Sequence, residues 1–80
     1  VTLFPNPVLD QLNLQINNSE TGTVSVQVID ASGAVRGVYS YSKSSTYFQT
    51  NLSVSALPAG VYFLRIQVGK WNDVKKIVKQ

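Results

Sequence analysis

Eighty residues, 44% hydrophobic and only 14% charged, are too apolar and too weakly charged for a disordered tail, so the chain folds. With no Cys and no His, it offers no Cys-His or Ser-His-Asp nucleophile, zinc centre, haem attachment or disulfide. A core this small must hold without a staple. The net charge of +3 sits entirely in residues 70–80, where Lys70, Lys75, Lys76 and Lys79 face a single Asp73; nucleic-acid binders spread basic residues over a face, so no nucleic-acid partner is expected.

Taken in chain order, the pattern has period two almost throughout, which means strands. Phe4-Pro5-Asn6-Pro7 opens the chain, and Leu12, Leu14 and Ile16 then alternate with Gln11, Asn13 and Gln15. Asn17 to Gly22 reads as a polar turn, followed by Val24, Val26 and Val28 alternating with Ser25 and Gln27. Asp30-Ala31-Ser32-Gly33 is a tight reversal, since Asp can accept from the backbone two residues on and Gly can take positive φ. Val35 to Tyr41 reads as a third strand, with Gly37 marking a bulge or a close approach, and Lys43 to Thr46 as a polar loop. Phe48, Thr50, Leu52 and Val54 give a fourth strand. Leu57-Pro58-Ala59-Gly60 is a corner, because Pro58 cannot donate to a ladder and biases Leu57 away from helix. Tyr62, Leu64, Ile66 and Val68 form a strongly apolar fifth strand, Gly69-Lys70 turns the chain, and Val74 to Lys79 makes the last strand. The facing of that strand stays open, because Val74 and Val78 share one phase and Ile77 the other.

No window carries apolar spacing of three and four, so no helix is expected. Six to seven short strands with regular reversals indicate an all-β, immunoglobulin-like antiparallel β-sandwich. The whole of residues 1–80 reads as one domain, an opening segment over 1–8 leading into a sandwich over 9–79. No stretch approaches the ~20 apolar residues of a membrane-spanning helix, so no membrane insertion is expected. A first residue Val1 and the absence of Met read as a piece of a longer polypeptide, or one whose leader has been removed.

The residues resemble a family, the type A C-terminal sorting domain of proteins exported by the type IX secretion system (the Por secretion system tail). Phe4-Pro5-Asn6-Pro7-Val8 with Asp10 and Leu12 is similar to the family's opening, and Val28-Ile29-Asp30 with Gly33 to its central strand and turn. Leu57-Pro58-Ala59-Gly60-Val61-Tyr62 matches its corner, and Lys75-Lys76-Ile77-Val78-Lys79 its basic, β-branched ending. The turn departs from the family in having Gly33-Ala34 where Gly-Lys is frequent, and Phe4 stands where Tyr is common. The resemblance implies a non-enzymatic secretion address behind an N-terminal cargo. It would fold in the periplasm in transit and be met by the secretion machinery, including an outer-membrane carrier. A sortase-like cysteine peptidase would usually remove it, leaving the cargo on the surface or released.

Each candidate carries a functional and a structural reading. Pro5, Asn6 and Pro7 either stiffen the join to the cargo or simply set the start of a strand. Gly60 lets Tyr62 enter the core with its hydroxyl at an edge, and Leu57 anchors the same corner. Lys75, Lys76, Ile77, Val78 and Lys79 either present a strand edge for a partner to extend or keep that edge from aggregating. A short edge strand also permits a homodimer by strand exchange. The carboxylates Asp10, Glu20, Asp30 and Asp73 fall in turns or at strand ends, so no catalytic pair, metal site or cofactor is expected. The rival reading is a carbohydrate-binding or adhesive module, in which Tyr39, Tyr41 and Trp71 would have to stand exposed together on one face.

Overall fold

The computed structural model describes residues 1–5 and 7–80; Asn6 of the opening motif lies outside the described residues. Seven strands follow in order: β1 (Thr2–Phe4), β2 (Gln11–Asn17), β3 (Gly22–Asp30), β4 (Val35–Lys43), β5 (Tyr47–Ser53), β6 (Gly60–Val68) and β7 (Trp71–Lys79). They pair antiparallel into two sheets, one in the order β1-β2-β5 and one in the order β4-β3-β6-β7. This is the expected two-sheet sandwich.

The alternation in the sequence is what builds the core. Leu12, Leu14 and Ile16 of β2 and Leu52 of β5 point inward from one sheet; Val24, Val26 and Val28 of β3 and Tyr62, Leu64, Ile66 and Val68 of β6 do so from the other. All are buried, while the residues between them reach solvent or the half-buried outer faces. Because side chains repeat every two residues, a one-residue slip would turn this whole set outward, which fixes the register. Pairing of Leu12 with Leu52 and of Val28 with Leu64 follows from that constraint.

Three features differ from the sequence reading. Thr2–Phe4 is a strand rather than part of an opening segment, pairing Leu3 with Leu14; three residues are too few to show a period. β4 runs on to Lys43, which is buried, its ammonium donating to the carbonyls of Asn18 (2.8 Å) and Glu20. Those two acceptors allow a charged tip to leave water while its stem packs. β7 starts at Trp71, three residues earlier than read. The bulge sits beside Gly37: Val28 faces Gly37 and Ile29 faces Val35, leaving Arg36 as the extra residue. Gly37 also serves a close approach, since a Cβ there would stand 3.2 Å from the Tyr39 ring.

The open question of β7 is answered by its position at the margin of the sheet. Ile77 is fully buried and pairs with Tyr62, whereas Val74 is 51% exposed. Along this edge strand Ile77 is the fully buried apolar residue of the inward phase and Trp71 packs half-buried against the core, while Asp73 and Lys75 between them stay partly exposed, so a two-faced apolar pattern never develops.

Gly60 adopts φ +157°, and Tyr62 enters the core while its hydroxyl donates to the Pro58 carbonyl at 2.6 Å. A tyrosine reaching back to the backbone just upstream is the corner device of immunoglobulin-type sandwiches. Tyr62→Phe is expected to cost about 1 kcal/mol, the net worth of one neutral hydrogen bond, read as a lower urea midpoint at unchanged slope. An unaltered midpoint would show that the bond contributes nothing.

Candidate functional site

The basic ending folds into β7, so its five residues separate by phase. Lys75 and Lys76 reach solvent; Lys75 lies 3.6 Å from Asp73 with 43% of its side chain exposed, a surface pair worth little. Val78 is half-buried on the outer face. Ile77 belongs to the core, and Lys79 is also buried, its Nζ donating to the Gln80 carbonyl at 2.8 Å. A tail cut back to Lys75 would therefore lose a core side chain along with the lysines, so the sandwich would not survive such a truncation unharmed.

The backbone edge of β7 is shielded along part of its length. The Val8 N–H donates to the Val78 carbonyl at 2.8 Å, and the Gln80 N–H donates to the Val8 carbonyl at 2.8 Å. Val8 is thereby an isolated parallel bridge opposite Lys79, with its side chain fully buried. In a strand, alternate residues turn their backbone groups to the same side, so Val74 points the same way as Val78. Its N–H is taken by the Asp73 carboxylate at 2.8 Å. Sequence reasoning missed this clasp. Its only trace was an apolar Val8 stranded between Pro7 and Leu9.

Asp30 organises the β3–β4 hairpin. Its Oδ1 accepts from the Ser32 hydroxyl (2.7 Å), the Ser32 N–H (3.0 Å) and the Ala34 N–H (2.9 Å). Its Oδ2 accepts from Arg36 Nε at 2.7 Å, the residue that the bulge aims toward it. Gly33 at φ +91° closes the turn. The Ser32 hydroxyl, the Arg36 guanidinium and the Ala34 N–H all favour the ionised form and hold the Asp30 carboxyl well below the usual carboxylate range. The same ion pair raises the pKa of Arg36.

Pro5 and Pro7 flank the undescribed Asn6 and are exposed. Leu57 is half-buried against the core.

The aromatic residues of the rival reading do not form a platform. Tyr41, Val24, Val68 and Trp71 lie in one cross-strand row on the inward side of the sheet. This puts Tyr41 and Trp71 at opposite margins, with Tyr39 two residues from Tyr41 on the same strand. All three are half-buried and packed on the core. Tyr39 donates to the Ser53 carbonyl at 3.0 Å, and the Tyr41 ring lies 5.8 Å from that of Phe48, so both tie β4 to β5. Burial also raises the Tyr41 pKa. A carbohydrate platform built on Tyr39, Tyr41 and Trp71 is therefore not favoured, because period-two strands at a sandwich margin turn such rings inward.

The chain matches the family model described as "Secretion system C-terminal sorting domain" over residues 2–80. It is also similar to karilysin of Tannerella forsythia, with 32% identity over 85 residues, an alignment covering 99% of this chain and 18% of karilysin. The chain thus spans about a fifth of the length of that curated relative.

Because the folded pKa of Asp30 is depressed, its contribution to stability is present above about pH 4, the ordinary carboxylate range. It is lost as pH falls through the lower folded value. Asp30→Asn is expected to weaken the hairpin at neutral pH and to flatten the acid limb of the stability profile below about pH 4. Superimposable acid limbs for the two proteins would contradict this assignment.

Proposed function

We propose, from the premise that this chain belongs to the secretion system C-terminal sorting domain family, that its folded sandwich rather than a linear tail is the address read by the exporter. The domain is the sorting signal of type IX secretion, which sends an attached N-terminal cargo to the cell surface or out of the cell. The family is one of signals, not of catalysts. The observation that carries the reading is coincidence of extent: the family match covers residues 2–80, and the strands run from Thr2 to Lys79. This extent supports a reading in which the whole sandwich, and not a terminal motif alone, is the signal.

In this reading residues 1–80 form one non-enzymatic domain without a cofactor. It folds in the periplasm, meets an outer-membrane carrier, and is removed by a sortase-like cysteine peptidase acting upstream. β7 takes part in the contact with the machinery. Lys75, Lys76 and Val78 offer side chains to the partner, while Ile77 and Lys79 hold the strand in place. The Asp30–Gly33 turn and the Leu57–Tyr62 corner, with Gly60, act on sorting indirectly by keeping the fold. Pro5, Asn6 and Pro7 set the approach of the cargo to the clasp at Val8. A homodimer by exchange of β7 would open the two-residue turn Gly69–Lys70 between Val68 and Trp71.

The test is a fusion of residues 1–80 behind a periplasm-directed reporter in a host possessing type IX secretion. The reporter is expected on the surface or in the medium, and to remain inside when the pathway is disabled. A fusion held in the periplasm of the competent host would overturn the reading.

A further inference from the structure

The two outer faces of the sandwich are unlike. On the three-stranded sheet, β2 and β5 present amides and hydroxyls: Gln11, Asn13, Gln15 and Asn17 opposite Ser53, Asn51, Gln49 and Tyr47. That is an uncharged, largely polar surface, with Phe4 of β1, 45% exposed, at its edge. On the four-stranded sheet one cross-strand row reads Val35, Ile29, Phe63, Lys76, and the next reads Val38, Gln27, Arg65, Val74. Of these, Val35 is 52% exposed, Val38 65%, Phe63 37% and Val74 51%. Exposed apolar residues grouped like this, rather than scattered singly, mark a surface that something covers.

The charge on this face has one sign. Arg65 and Lys76 lie on it, and none of the four carboxylates does: Asp10 and Glu20 are in loops, Asp30 is engaged in its hairpin, and Asp73 sits in the inward phase of β7. Arg65 is at the centre, on the inner strand β6. It lines a shallow polar cavity of about 160 Å³ with Ser25, Gln27 and Gln67. Its guanidinium has no hydrogen-bond or ion-pair partner among the described residues. A planar fork of donors, flanked by two amides and a hydroxyl, suits a carboxylate held bidentately. The apolar side chains next to it would strip water from that pair and strengthen it.

We infer that this face, centred on Arg65, docks a segment of the export machinery in which a carboxylate is flanked by apolar side chains. The carboxylate enters the Arg65 cavity, and the apolar neighbours lie on Val38, Phe63 and Val74. Shielding of the β7 edge by Val8 and by the Asp73 carboxylate directs the partner to the face of the sheet and away from its margin. The inference deepens the sorting reading and rests on it.

The experiment compares reporter fusions carrying Arg65→Glu, Arg65→Lys, Val38→Asp and, on the opposite outer face, Asn51→Asp. The unmodified fusion and the Asn51→Asp control are expected to be exported normally. Arg65→Glu and Val38→Asp are expected to lower the exported fraction tenfold or more without shifting the melting curve, and Arg65→Lys to retain part of it. Where Arg65→Glu disturbs folding, Val38→Asp decides, since that side chain is already largely in water. Export of the unmodified and face variants alike defeats this inference alone; an unmodified fusion that stays inside defeats the sorting reading as well. Sedimentation showing a dimer of the chain that Val38→Asp dissolves would make a second copy the occupant, and would overturn the proposal.

Discussion

One clasp closes this sandwich. Val8 gives its N–H to Val78 and takes that of Gln80, while its side chain disappears into the core with Ile77. The segment that leads into the domain and the strand that ends it are thereby fastened to each other. In a chain without cysteine, and with no helix among the described residues, an apolar layer survives only if both margins of the two sheets are covered. Tyr39 and the Tyr41–Phe48 ring contact cover one margin, and the clasp covers the other. Neither end can be moved without opening the core to water.

That constraint joins folding to sorting. The basic ending is not a flexible signal hung on a finished domain; it supplies a strand, a core side chain and half of the clasp. The lysines also divide, for Lys79 is inside, Lys76 is exposed on the outer face and Lys75 is half-buried in the inward phase. What a partner meets is then a surface with a defined geometry, and the outer face of the four-stranded sheet is the part of that surface with unsatisfied chemistry. The hairpin at Asp30 and the corner at Tyr62 act at a distance by holding β3, β4 and β6, the strands that build this face.

Much of the fold was legible because the physics behind it is local. Alternation in Leu12–Ile16, Val24–Val28 and Tyr62–Val68 encodes which side is dry, and the Asp30 turn and Pro58–Tyr62 corner encode their own backbone shapes. What could not be read depends on pairing across the chain. β1 is too short to show a period, and the Val8 bridge joins residues some seventy positions apart. The facing of β7 depends on its being an edge, and the burial of Lys43 depends on carbonyls contributed by the β2–β3 turn. The Tyr39, Tyr41 and Trp71 rings illustrate the same limit: their positions along the strands were plain, but which side of the sheet they occupied came from register. The family resemblance pointed to the ending as a signal. It did not point to Arg65, which no motif contains.

The central claim, that the exporter reads a folded object, is tested most directly by emptying the core under an unchanged surface. Ile77→Ala removes no charge and alters no exposed side chain. It is expected to cost about 2–5 kcal/mol, against a total of about 4–12 kcal/mol for a domain of this size. Folded fraction and exported fraction would be measured for the same fusion over a range of growth temperatures. The two are expected to fall together, with export lost where the domain melts although every lysine remains. Export at the unmodified level from a fusion whose sorting domain is unfolded would contradict the account.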